Sequence, residues 1–176
     1  MKALIIIDAQ NEFSKDGKRP VPDHLKTIEV IKQRVEEFRK NGKPIAWVRH
    51  FNKPSESPAF VPGTWGAEFV RGLGPKEEVN NEKEFRKDVY GAFTGSDIGE
   101  WLNSLNVSEV IIIGFYTHGC VSTTAREAIM GGLSVYIEIE GTATCDIEHE
   151  ILGIQPAVEV RRSALLQLAN MGIVIL

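Results

Sequence analysis

The chain has 176 residues, 43% hydrophobic and 25% charged, with a formal net charge of −4. This size and apolar fraction suit one globular domain spanning 1–176, and the intermixed charges exclude a basic nucleic-acid footprint. No apolar run approaches the ~20 residues needed to cross a bilayer, so no membrane partner is expected, and the N-terminus has no leader pattern. Two cysteines, Cys120 and Cys145, are too few for a disulfide framework, and the expected compartment is the cytoplasm.

The predicted elements alternate between short apolar runs and amphipathic helices. Strand one is 3–7, followed by a helix over 23–41 with an apolar stripe of Leu25, Ile28, Ile31, Val35 and Phe38 that ends at Asn41-Gly42. Strand two is 45–48. The stretch 51–74 has no periodicity and exceeds ordinary connection lengths; its Phe51, Phe60, Trp65 and Phe69 either wall a pocket or pin the loop to itself. A weak third strand is placed around 78–81, then a helix over 96–105 with Ser96 as N-cap. Strand four is 110–113, a helix opened by Cys120 runs over 121–130 to Gly131-Gly132, and strand five is 134–139. A helix over 156–171 and a strand over 173–176 complete six strands. The pattern predicts a three-layer α/β/α Rossmann-like fold with a six-stranded, mainly parallel sheet.

The chemistry concentrates in Gly114-Phe115-Tyr116-Thr117-His118-Gly119-Cys120-Val121, where a strand breaks at a glycine and delivers a cysteine to a helix start. Free cysteine is most often a small buried hydrophobe. A helix N-terminus, however, offers unpaired N–H groups and partial positive charge, so a thiol placed there is expected to ionise more readily and its amides to hold an oxyanion. In open parallel sheets ligands bind beyond the carboxyl ends of the strands. Asp8 ends strand one beside Gln10 and Asn11, and Lys87 follows strand three. An acid at a strand end is commonly a turn residue, and Lys83 shares the charged segment with Lys87. Asp8, a lysine and Cys120 can nevertheless converge from separate strand ends.

Four blocks in order, Leu4-Ile5-Ile6-Ile7-Asp8-Ala9-Gln10-Asn11-Glu12-Phe13, Pro62-Gly63-Thr64-Trp65-Gly66-Ala67-Glu68, Lys87-Asp88-Val89-Tyr90-Gly91-Ala92-Phe93 and Gly114 to Val121, resemble the isochorismatase-like cysteine hydrolases, which include N-carbamoylsarcosine amidase and nicotinamidase. The resemblance implies a catalytic triad of Asp8, Lys87 and Cys120, with Lys87 favoured over Lys83 by its spacing to Tyr90. It also implies a cis peptide between Phe115 and Tyr116 and an oxyanion hole from the backbone N–H groups of Tyr116 and Cys120. The substrate pocket is expected to draw on Gln10, Phe13, Trp65, Tyr90, Phe93, Phe115 and Thr117.

The implied substrate is a small amide or carbamoyl compound, cleaved through a thioester without a cofactor by a homo-oligomer, either dimer or tetramer. An isochorismatase-type hydrolase is the alternative within the family. Nicotinamidase ranks lower, because its Asp-x-His pair and later His are met here only by His50, so no metal site is expected and His50 reads as a hydrogen-bonding pocket residue. His24, His118 and His149 read as surface or cap residues, and Cys145 as a loop or helix-start residue. A family Asp-Ala pair after strand five is replaced by Glu140-Gly141, and the acidic segment 138–150 holds no arginine for a substrate carboxylate. Arg49, Arg71 or a partner subunit would have to supply that charge. The readings from other classes are a thiol redox protein and a catalytically silent binding module.

Overall fold

The computed structural model describes residues 1–76 and 79–176. Its centre is a six-stranded sheet of β1 (Lys2–Ile7), β2 (Ile45–His50), β3 (Glu82–Lys87), β4 (Glu109–Phe115), β5 (Ser134–Ala143) and β8 (Val174–Ile175), with every pairing parallel. The order is β3-β2-β1-β4-β5-β8. Alternation in β1 decides the layering: Ala3, Ile5 and Ile7 enter one apolar cluster, Leu4 and Ile6 the other. Both sets are fully buried, each Leu or Ile side chain contributing about 1.5–3 kcal/mol of burial. Helix α1 (His24–Lys40) covers one face, while α2 (Ile98–Ser104), α3 (Ser122–Met130) and α4 (Ala157–Asn170) cover the other. The expected three-layer architecture is therefore present.

Several boundaries differ from expectation for identifiable reasons. Strand three lies at 82–87 instead of 78–81, and Glu78 falls outside the described residues. It is an edge strand whose charged Glu-Lys-Glu-Phe-Arg-Lys sequence hides its period, as is usual for protected edges. On α1, Leu25 is 82% exposed and His24 takes its place inside, stacked on Phe115. The α2 start falls at Ile98, yet the Ser96 hydroxyl still accepts from the Ile98 N–H (3.3 Å). β5 runs through Glu140-Gly141, which lie inside the strand, with Glu140 paired to Lys26. An exposed hairpin of β6 (Ile147–His149) and β7 (Gly153–Gln155) was not predicted, being too short to show a period.

Sheet order reverses between β1 and β4, so the loops after them open a crevice at their carboxyl ends. Closure there demands a glycine: Gly114 sits at φ +125°, and a Cβ on it would lie 1.9 Å from the Ile7 carbonyl oxygen. The contact is with backbone, which has no flexible side chain end that can yield. Gly114→Ala is expected to cost about 3 kcal/mol or more in urea unfolding. An unchanged midpoint would show that the β1–β4 approach is looser than the geometry requires.

Candidate active site

Asp8 immediately follows β1, its N–H donating to the Val48 carbonyl (2.9 Å) and its φ of 53° turning the carboxylate off the strand path. Lys87 is the last residue of β3, beside His50 at the end of β2. Cys120 lies in a wide helical turn, Thr117–Val121, in which the Gly119 and Val121 N–H groups both donate to the Tyr116 carbonyl (3.1 Å each) before α3 begins. The peptide joining Phe115 to Tyr116 is cis.

These elements bring three side chains onto one nitrogen, that of Lys87. Lys87 Nζ lies 2.8 Å from Asp8 Oδ2, 3.1 Å from Cys120 Sγ and 3.2 Å from His50 Nδ1. Three acceptors match the three protons of an ammonium. His50 Nδ1 must therefore carry a lone pair, which puts its proton on Nε2, 2.8 Å from Asn52 Oδ1. Lys83 is paired with Asp97 at the surface.

Burial and charge set the protonation states. Burial opposes charge on Lys87, but the Asp8 carboxylate and Cys120 outweigh it and hold the ammonium above the ordinary lysine range. Burial and then the Asp8 carboxylate push the Cys120 thiol up to about 12, with Lys87 pulling the other way. One ammonium neutralises one anion, so a thiolate would leave this buried group of charges net negative. The expectation of a readily ionised cysteine is reversed: the thiol rests protonated, and Asp8 Oδ1, buried and without a hydrogen-bond partner among the described residues, is left free to receive a proton.

A cavity of about 330 Å³ opens over Asp8, His50 and Cys120. Phe13, Phe60, Tyr90 and Tyr116 form aromatic walls, while Arg19 and Asp88 stand at its edge. Of the expected substrate residues, Phe13 and Tyr90 line it and five do not. Gln10 is fully buried and donates to the His50 and Ala67 carbonyls (3.0 and 2.8 Å) while accepting from the His50 N–H (2.8 Å). Trp65 points to solvent, Phe93 packs into the core, Phe115 stacks on Phe13 inside the fold, and Thr117 is wholly buried. Among the loop aromatics, Phe60 serves the cavity while Phe69 packs on Trp47. Arg49 is bound to Glu84 and Glu68, so neither it nor exposed Arg71 reaches the cavity. His118 is not a surface residue but lines the cavity, bonded to Thr144. Cys145 lies against the Tyr116 hydroxyl.

The remaining support was invisible in the sequence. Buried Glu12 accepts from the Lys18 and Phe60 N–H groups (2.7 and 3.1 Å), tying two loops together under the cavity. Glu127 of α3 accepts from the Phe93 N–H (2.9 Å), fixing the turn that carries Tyr90. Since Gln10 works as a brace, Gln10→Ala is expected to lower unfolding stability by about 2–4 kcal/mol through orphaned backbone groups. Unchanged stability with a raised KM would instead assign it to substrate.

The chain matches the isochorismatase domain model over residues 2–161. It is 32% identical over 164 residues to nicotinamidase 3 of Arabidopsis thaliana, covering 84% of this chain and 76% of that protein. An isochorismatase structure from Pseudomonas putida superposes with a TM-score of 0.90 at 29% identity, over 99% of this chain and 86% of that one. The pyrazinamidase of Pyrococcus horikoshii, solved in complex with zinc, gives 0.82 at 28% identity, over 99% and 98%. In the present chain the one three-donor cluster among the described residues is Asp8, His50 and Cys120, and all three converge on Lys87 Nζ. A divalent ion there would share its space with an ammonium, so this donor set does not fit a metal. Fold and sequence agree: the chain belongs to the isochorismatase family.

Proposed function

We propose that the protein is a cysteine-dependent amidohydrolase that cleaves a non-peptide C–N bond of a small amide or carbamoyl compound through a thioester. The observation that carries this reading is the single ammonium bridging Asp8 and Cys120 at the floor of a cavity. Cys120 Sγ attacks the carbonyl carbon as its proton passes to Asp8, so that no free thiolate accumulates. Lys87 stabilises the charge that develops on sulfur. The oxyanion is taken by the backbone N–H groups of Tyr116 and Cys120; the use of the Gly119 and Val121 N–H groups on the Tyr116 carbonyl supports that choice. Asp8 returns the proton to the leaving nitrogen, the C–N bond breaks, and ammonia or an amine departs. Asp8 then takes a proton from water, which attacks the thioester carbonyl; the C–S bond breaks, the acid departs, and Asp8 passes the proton to the Cys120 sulfur to restore the thiol.

The protonated resting thiol weighs against a redox role, since peroxide and disulfides react with thiolate. The assembled cluster weighs against a silent binding module. Within the family, carbamoylsarcosine-type and nicotinamide-type amides stand on equal terms: Cys120 supports either, and the relative named nicotinamidase supports the second. An isochorismatase-type vinyl ether is less suited to a thiol nucleophile. Two free thiols fit a cytoplasmic setting. No helix is long and apolar enough to cross a membrane among the described residues. The exposed Ile147, Ile151, Leu152 and Ile154 of the β6–β7 hairpin support self-association.

Ammonia release from a panel of small primary amides, carbamoyl amines and nicotinamide is expected to fall about 10³-fold or more in Cys120→Ala and to be insensitive to chelators. Release that survives Cys120→Ala, or that is abolished by chelation, would contradict the mechanism. The panel member turned over fastest decides between the two amide classes.

A further inference from the structure

The mouth of the cavity holds an acid and an aromatic ring that the proposed chemistry does not use. Asp88 follows edge strand β3 directly after Lys87 and lines the cavity. It is exposed and takes part in no ion pair among the described residues. The neighbouring Lys87 ammonium is already committed to Asp8. Two residues on, Tyr90 is 66% exposed, yet its ring lies over Gly119, the residue before the nucleophile, 3.6 Å from where a Cβ would stand. The turn that carries both residues is fixed at its two ends. The Phe51 N–H donates to the Lys87 carbonyl (2.9 Å), and the Ala92 and Phe93 N–H groups donate to the Thr124 hydroxyl (3.1 Å) and the Glu127 carboxylate (2.9 Å). Arg19 stands apart from this turn, on the β4 side, where the Tyr116 hydroxyl donates to its carbonyl (3.4 Å).

We propose that Asp88 and Tyr90 form a cation subsite, so that the substrate class is a small amide bearing an ammonium group a few bonds from the scissile carbonyl. The inference rests on the hydrolase reading. A carboxylate accepts charge-assisted hydrogen bonds from an ammonium, and the negative face of an aromatic ring attracts the same charge. The wall of Phe13, Phe60, Tyr90 and Tyr116 therefore suits a cation, and Asp88 decides at which end of the mouth it sits. Arg19 repels an ammonium from the β4 side and so disfavours the reversed pose. A cavity of about 330 Å³ accommodates a molecule of this size. Because Asp88 is exposed, the bound ammonium keeps part of its hydration, and the discrimination is that of a rim contact rather than a buried pair.

The test compares β-alaninamide, 4-aminobutyramide and 5-aminovaleramide with butyramide, valeramide and hexanamide, in which a methyl group replaces the ammonium. At pH 8 the wild-type protein is expected to favour the charged member of at least one pair by about fivefold or more in kcat/KM. Asp88→Asn is expected to remove most of that ratio through KM, and Asp88→Glu to retain part of it. Tyr90→Phe is expected to keep the ratio and Tyr90→Leu to lower it about threefold. Asp16→Asn, an exposed acid outside the cavity lining, is the control that keeps it. Protection of Cys120 from iodoacetamide by the charged amides, weakened in Asp88→Asn, reads binding without turnover. Such protection without hydrolysis of any amide would support the cation subsite and contradict the amidohydrolase reading. Turnover without preference for a charged member, or an unchanged ratio in Asp88→Asn, would overturn the cation subsite and leave the hydrolase intact. Neither hydrolysis of the charged amides nor protection by them would also overturn it.

Discussion

One buried ammonium organises the site. Lys87 is held by a carboxylate, a thiol and an imidazole, each at hydrogen-bond distance, with its side chain wholly removed from solvent. Removing a lysine from water is costly unless each proton finds an acceptor, and the three acceptors arrive from three separate places: the end of β1, the end of β2 and the turn after β4. A parallel sheet whose order reverses between β1 and β4 gathers such strand ends on one edge. The electrostatic balance then follows. With the carboxylate already matched to the ammonium, the thiol keeps its proton, and reactivity waits for a carbonyl carbon to be presented.

The rest of the fold keeps those atoms in place. Two carboxylates that do no chemistry, buried Glu12 and half-buried Glu127, accept backbone N–H groups and thereby pin the loops on either side of the cavity. Gln10 braces the end of β2, which carries His50, and Asn52 fixes the imidazole tautomer that lets His50 accept from Lys87. The outer polar shell thus controls the orientation of the inner one, as is general for sites that depend on exact protonation states.

Legibility from sequence followed burial. β1, β2 and β4 were recognisable as apolar runs because both faces of a central parallel strand are covered, and their observed limits extend the expected ones by only a few residues. β3 was not, since an edge strand with charged side chains carries no such run. Asp8, Lys87 and Cys120 were singled out by motif and resemblance, and the fold does bring them together. The protonation of Cys120 departs from expectation because the helix-start argument considers a thiol and a dipole alone, whereas burial and a neighbouring carboxylate dominate here. The cavity wall was the least legible part. Phe13 and Tyr90 reach it, but Gln10, Phe93, Phe115 and Thr117 face the interior and Trp65 the solvent. Arg19 and Asp88 lie in loops or at strand ends where no periodicity indicates which way a side chain points.

The most direct test of the account is the pH dependence of Cys120 alkylation by iodoacetamide in the substrate-free protein. A thiol kept neutral by burial and by Asp8 predicts a rate that climbs about tenfold per pH unit from neutrality to at least pH 9.5, with no plateau. A plateau reached below pH 8 would mean that Cys120 rests as a thiolate paired with Lys87, and would contradict the proton transfer from Cys120 to Asp8 on which the account depends.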